Sequence, residues 1–221
     1  TTAYHLLKQG YAVNILEQHY EPGGFTHTFK RRNFVWDVGV HYIGQMGSEK
    51  SLSRRIFDAM SGGKLTWAEL GEHIDRLVFP DRAYDLVKGK EAWLDTLAEA
   101  FPEDRYGLEL LLKDVKAAAR STGSFFMEKA LPQPLSWIAG PFLRRNFMKF
   151  SNMTTKYALN KYSANPKLQG VVTGQYGDFG LTPGKSSFAM TAMIINHYLN
   201  GAFYPVGGSA EIAKTIIEEI K

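Results

Sequence analysis

Three observations predict an α/β (α+β) fold for this 221-residue chain. Residues 12–17, AVNILE, form a short apolar run closed by an acid, the pattern of a buried parallel strand. A Pro-Gly-Gly turn at 22–24 leads into a second strand-like run, Phe34 to Val38. Beyond it, helical periodicities alternate with one hairpin pattern, which adds a mixed helical and antiparallel-sheet region.

Taken in order, Thr1 to Gln9 have helical spacing with Ala3, Leu6 and Leu7 on one face, and Gly10 supplies a left-handed stop. The strand AVNILE then places Glu17 at the carboxyl edge of a sheet. Gly23 and Gly24 let the backbone approach a bulky, charged ligand with no side chain in the way. Phe34 to Val38 reads as a second buried strand, and Gly39 to Gly44 carries its end toward the same site. Lys50 to Met60 is predicted helical, with Leu52, Ile56 and Phe57 on one face and Ser61 to Gly63 as its stop. Residues 74–89, IDRLVFPDRAYDLVKG, read as two short strands folded around Pro80 and Asp81. Glu91 to Ala100 and Asp104 to Ser121 are expected to be scaffold helices, the second bearing Leu108, Leu111, Leu112 and Val115. Lys185 to Asn200 is apolar nearly all round, so it is expected to be buried or to line a cavity, with His197 and Tyr198 in the core more readily than at a site. Ser209 is expected to cap the last helix, with Glu211 near its positive end.

Composition excludes several chemistries. There is no cysteine, so disulfides, thiolate catalysis and Cys-ligated metals are ruled out. The six histidines, at 5, 19, 27, 41, 73 and 197, show no H-E-x-x-H or close H-x-H pairing, so no metal site is expected. No apolar run reaches the roughly 18 residues needed to span a bilayer, and no signal peptide opens the sequence. The net charge of +4 is unevenly placed: from Lys129 to Gly177 there are seven lysines and arginines and no acid. Bulky apolar residues are interleaved with these cations, and prolines at 132, 134 and 141 argue for short amphipathic pieces in place of one long helix. Such pieces would lay Trp137, Ile138, Phe142, Leu143 and Phe147 into a membrane interface while Arg144, Arg145 and Lys149 meet anionic lipid. Lining of a substrate tunnel or ordinary core packing accounts for the same apolar residues, and both readings hold together if a tunnel opens onto the bilayer. Without a recognisable nucleic-acid module, the patch does not point to DNA or RNA.

An acid at a strand end is what a dinucleotide-binding unit uses to accept bonds from ribose hydroxyls, about 20 residues beyond a Gly-rich phosphate turn. No G-x-G-x-x-G precedes Glu17, so that turn and its strand are expected upstream of Thr1. The runs EQHYEPGGFTHTF and FVWDVGVHYIG resemble the flavin-dependent phytoene desaturase, carotenoid isomerase and retinol saturase group, in which a P-G-G turn and an F-D-x-G strand follow the ribose acid. A second block, residues 174–213, is most similar to retinol saturases, which share the N-H-Y and Y-P-x-G-G elements and the following Glu-Ile-Ala in the same order.

That resemblance implies a partial Rossmann-like FAD domain at 1–44, a substrate- or membrane-facing domain at 45–200, and a segment at 201–221 that returns to the FAD domain. It implies FAD as cofactor and an oxidoreductase acting on carbon-carbon double bonds of an apolar polyene or isoprenoid, by saturation, desaturation or isomerisation. Glu17 is then the ribose acid, and Gly23 and Gly24 lie beside the cofactor. Gly39 and His41 approach the flavin, while Tyr204, Gly207 and Gly208 are the substrate-side candidates. His41 would bond a ring heteroatom or supply a proton, although a lone histidine among apolar residues is more often a satisfied core or surface residue. The chain departs from the family pattern in lacking the phosphate turn, the later sheet strands and the C-terminal flavin-contacting segment, and in carrying Phe25 where many relatives have a small or basic residue. The resemblance therefore implies a fragment with an incomplete flavin site. A different class of function stays open beside it: a non-catalytic domain that binds apolar ligands or a membrane surface, or a module completed by a second copy or another chain.

Overall fold

In the computed structural model, which describes residues 1–221, the chain divides into two units, residues 1–71 with 201–221 and residues 72–200. The first opens with α1 (Thr2–Lys8), which is released at Gly10, where φ is 85°. The segment 11–17 is not the buried strand its composition predicts. It forms no strand, and Leu16 is 97% exposed. A central parallel strand needs a neighbour for its N–H and C=O groups, and no other strand of this chain pairs with these residues. β1 (Thr28–Arg31) and β2 (Phe34–Asp37) form an antiparallel hairpin that pairs Thr28 with Asp37 and Arg31 with Phe34. The second expected strand thus exists but is not buried: Phe34, Val35 and Trp36 are all exposed, because a two-stranded ribbon has no further strand to widen it and nothing to cover both faces. β3 (Ile43–Gly44) follows, then α2 (Leu52–Met60), capped by Ser51, whose hydroxyl accepts from the Arg54 N–H at 3.1 Å. β4 (Trp67–Glu69) completes this pass through the first unit.

The second unit begins with β5 (His73–Val78) and β6 (Ala83–Val87), the hairpin expected around Pro80 and Asp81. Arg76 and Asp85 face each other across it at 2.6 Å. α3 (Lys90–Ala100) matches expectation, whereas α4 (Arg105–Ala130) runs well past the expected end at Ser121. No proline occurs between Pro102 and Pro132, and the extra turns are held by the next helix, where Phe147 stacks on Phe125 with ring centroids 4.3 Å apart. That helix, α5 (Gln133–Ser151), corrects the expectation of short pieces. Pro132 is its N-cap and Pro134 lies in its first turn, where no N–H partner is needed, so only Pro141 stands inside it. α6 (Thr155–Leu159), α7 (Pro166–Val172) and α8 (Phe188–Tyr198) follow.

The core of this unit is built on α4, whose Leu108, Leu111, Leu112 and Val115 meet Trp93 and Leu97 of α3 and Phe188, Ala192 and Ile195 of α8. The α8 face is buried as predicted. Tyr198 lies in the core, with its hydroxyl donating to Asp178 at 2.7 Å, and His197 is half-buried beside it. Thr155, Ser186 and Thr191 form a buried hydroxyl cluster with bonds of 2.8 and 2.9 Å, which satisfies three polar groups that would otherwise be costly.

The chain then returns to the first unit. β7 (Ala202–Pro205) inserts between β3 and β4, pairing Phe203 with Ile43 and Tyr204 with Ala68. α9 (Ala210–Ile220) packs on α1, on α2 and on the 24–26 turn. Every paired strand is antiparallel, so the chain is an α+β mixture of helix and antiparallel sheet. Ser209 stands at the N-cap of α9 but makes no side-chain bond to its own helix, contrary to expectation.

Candidate functional site

The hydroxyl of Ser209 is engaged elsewhere, and its partners define the site. It lies 2.6 Å from Asp37 Oδ1 and 2.9 Å from the Thr26 carbonyl oxygen, and the Ser209 N–H donates to the same Asp37 oxygen at 3.1 Å. Tyr204 donates its hydroxyl to Asp37 Oδ2 at 2.6 Å, with the Val40 carbonyl 3.2 Å away. One carboxylate at the end of β2 thus ties together the turn after residue 22, the last strand and the start of the last helix. It also takes the capping role that Ser209 leaves open, since a carboxylate facing a helix N-terminus complements both its free N–H groups and its dipole. Burial alone would raise the Asp37 carboxyl, but bonds from the Ser209 hydroxyl, the Tyr204 hydroxyl and the Ser209 N–H together hold it below the ordinary value. Burial, with the bond to Asp37 added, pushes the Tyr204 hydroxyl up to about 12.

The Pro-Gly-Gly turn is built tightly against this joint. Gly23 has φ of 120°, and a Cβ there would stand 2.6 Å from that of Ala213 and 2.5 Å from Thr26 Oγ1, so only glycine fits. A Cβ on Gly24 would instead meet no atom within 4 Å, leaving its backbone open to a ligand. Thr26 donates to the Gly23 carbonyl at 3.0 Å, and the His19 and His27 rings lie 4.2 Å apart across the loop. Between this loop and the flank of α9 is a cleft of about 390 Å³, whose walls include Pro22, Thr26, His27, Ala213 and Lys214.

The structure brings some candidate residues together and leaves others apart. Gly23, Tyr204 and Gly208 converge on the Asp37 joint, with Gly208 placed so that a Cβ would lie 3.6 Å from Asp37 Oδ1. Gly207 adopts φ of 95° in the turn that leads there. Gly39 has a packing role: a Cβ there would collide with Phe25 at 2.8 Å, so the glycine lets the Phe25 ring cover the strand end. Glu17 is exposed and accepts from the His19 N–H at 2.9 Å, away from the joint. His41 is exposed, its Nδ1 2.6 Å from the Tyr42 carbonyl. Sequence reasoning missed Ser209 and Thr26 as members of the site, because Ser209 reaches the Asp37 carboxylate 172 residues away and the Thr26 carbonyl 183 residues away, and neither local pattern points to such a partner.

The residues present fit one part of FAD. An exposed carboxylate suits ribose hydroxyls, and the open Gly24 backbone suits close approach of a polar cofactor. No G-x-G-x-x-G turn for the pyrophosphate occurs among these 221 residues.

Residues 1–60 match the NAD(P)-binding Rossmann-like domain. The chain is 34% identical over 228 residues to an all-trans-retinol 13,14-reductase of Danio rerio, covering 98% of this chain and 37% of that protein. It is 35% identical to the human protein of the same name, over 94% of this chain and 35% of that protein. A 1-hydroxycarotenoid 3,4-desaturase from Flavobacterium sp. (strain P99-3) is 22% identical over 98% of this chain and 44% of its own length. The chain thus spans a little over a third of the reductases it matches. By these matches it belongs to the same homologous group as the all-trans-retinol 13,14-reductases and the carotenoid desaturase.

Proposed function

We propose that this chain forms part of a flavin-dependent oxidoreductase acting on carbon-carbon double bonds of an apolar polyene, with saturation of a retinoid-like substrate favoured by the names of its reductase relatives. The observation that carries the reading is the Asp37 joint, which holds the Pro-Gly-Gly turn against the Tyr204–Gly208 turn although the two motifs lie far apart in sequence. FAD, when bound, supplies the hydride and electron chemistry. The chain's own residues bind and orient: Glu17 holds ribose hydroxyls, the 23–24 backbone lies along the cofactor, and Asp37 fixes the geometry of both turns. His41 and Tyr204 are the candidates for holding a proton in the reaction, Tyr204 with a hydroxyl that stays protonated throughout the neutral range.

The test is a titration of the chain with FAD, following flavin fluorescence, with Glu17→Gln and Gly24→Val beside it. Saturable binding is expected. Loss of a charge-assisted bond to ribose should raise Kd about tenfold in Glu17→Gln, and Gly24→Val should weaken binding at least as much. Absence of binding, or equal affinity in all three proteins, would overturn the reading.

A further inference from the structure

The helical hairpin of α4 and α5 presents an outward face that nothing in the chain covers. Its inner face is closed. Phe147 is buried against Phe125, not free to enter a membrane as its sequence context suggests, and Leu143 is half-buried. The buried carboxylate of Glu128 accepts from the Ser136 hydroxyl at 2.9 Å, with Lys129 at 2.9 Å and Arg144 at 3.6 Å. Gly140 allows this, since a Cβ there would press on Glu128 Oε1 at 3.1 Å. Arg144 and Ser136 of α5 therefore tie that helix to Glu128 of α4, while Lys129, next to Glu128 on α4, only offsets its charge.

The outward face is ordered along its length. Phe126 and Met127 of α4 and Leu135, Trp137 and Ile138 of α5 are exposed within about a turn and a half of the point where the two helices join, and Phe142 is exposed one turn further along α5. Trp137, Ile138 and Phe142 are each more than 70% exposed. Ile138, Phe142, Arg145 and Lys149 follow one another at helical spacing, so the same stripe turns from apolar to cationic. Arg145 and Lys149 are exposed and belong to no ion pair. No acid occurs from Lys129 to Gly177 to repel an anionic surface. At 150–250 Å² for a buried aromatic, Trp137 and Phe142 alone offer on the order of 200–400 Å² of apolar surface, to which Leu135, Ile138, Phe126 and Met127 add. No helix of the chain is long and apolar enough to cross a membrane.

We propose that the tip of this hairpin docks into the surface of an anionic lipid bilayer. The dimensions agree with shallow insertion. At 1.5 Å per helical residue, Arg145 and Lys149 lie about 5 and 10 Å beyond Phe142 along the axis. Phe142 itself is about 13 Å from the start of α5, so the stripe enters obliquely, its apolar part reaching roughly 5–10 Å into the acyl boundary and its cationic end staying at headgroup level. Tryptophan is suited to that boundary, having an apolar body and one N–H donor. A bilayer fits this face better than a protein groove, because the apolar residues come from two helices and form a blunt tip, with the cations set back from it. The proposal is independent of which cofactor the first unit takes.

Cosedimentation of the chain with phosphatidylcholine vesicles, with and without about one third phosphatidylserine, tests it. Binding to the anionic vesicles is expected, weakened by high salt. Trp137→Ser with Phe142→Ser should reduce partitioning at least tenfold on both vesicle types. Arg145→Glu with Lys149→Glu should reduce it about tenfold on the anionic vesicles and leave the neutral ones unchanged. All four positions are exposed, so unchanged circular dichroism is expected to exclude misfolding. Three results would overturn the proposal: no binding to anionic vesicles, binding indifferent to both pairs, or a dimer in solution that Trp137→Ser with Phe142→Ser dissociates. The last would make the face a contact between copies.

Discussion

Gly107→Ala is expected to destabilise the second unit by about 3 kcal/mol or more, although alanine is the better helix former. Gly107 lies in the first turn of α4, buried, at the point where the helix meets the carbonyl oxygen of Tyr162. A Cβ there would overlap that oxygen, and both partners are backbone, so neither can rotate away. Relief requires the 159–163 segment to move off α4. That would break the 2.6 Å bond from the Tyr162 hydroxyl to Asp114 and open the core at Leu108 and Leu159. Gly123, in the same helix, supplies the control. A Cβ there meets nothing within 4 Å, so Gly123→Ala should stabilise by about 0.5–1 kcal/mol through helix propensity alone. Urea unfolding followed at the buried Trp93 measures both. Equal and small effects at the two glycines would show that the approach of Tyr162 is not needed.

Asp37→Ala should cost the first unit about 1–3 kcal/mol, because it removes the common acceptor of three hydrogen bonds and leaves the N–H at the start of α9 without its partner. Part of the Asp37 side is open to water, so its charge is screened and the effect belongs toward the lower end of that range. The pH dependence separates the partners. Asp37 is held below its ordinary value, so its contribution is complete above the unfolded carboxyl's titration, near 4, and is lost as pH falls through the lowered value. Tyr204 is raised to about 12, so its contribution is complete below the unfolded phenol's value, near 10, and is lost as pH rises through 12. Unfolding midpoints read from Trp36 and Trp67 should therefore fall between about pH 10 and 12 in the wild type. In Tyr204→Phe the midpoint should start lower and lack that alkaline step. An identical alkaline limb in the variant would mean that the bond to Asp37 contributes nothing.

Helices α1, α2, α3 and α8 and the Pro80 hairpin were legible because their determinants are local. The Ser51 cap and the glycines at 62 and 63 delimit α2, and Leu108, Leu111, Leu112 and Val115 align on one face of α4. Failures came where a residue's state depends on a neighbour distant in sequence. AVNILE has the composition of a central strand, yet composition does not supply the strands that must flank it. Pro132, Pro134 and Pro141 look like helix breakers when read alone. Two of them sit where a helix start tolerates proline, and Pro141 is carried by a helix already packed on α4. Phe147 and Trp137 are both bulky and apolar beside cations, but Phe125 is stacked on one and nothing covers the other.

The sequence by itself determined the two motif blocks, the group they belong to, the limits of α1, α2 and α3 and the acid-free basic stretch, since each is written in residue type and spacing. Tertiary structure alone decided that Asp37 joins those blocks and caps α9 in place of Ser209. It alone also decided which half of the apolar stretch faces out. A hydrogen bond or a packing contact requires two groups within a few ångströms, and for residues separated by more than a hundred positions only the folded path of the chain fixes that distance.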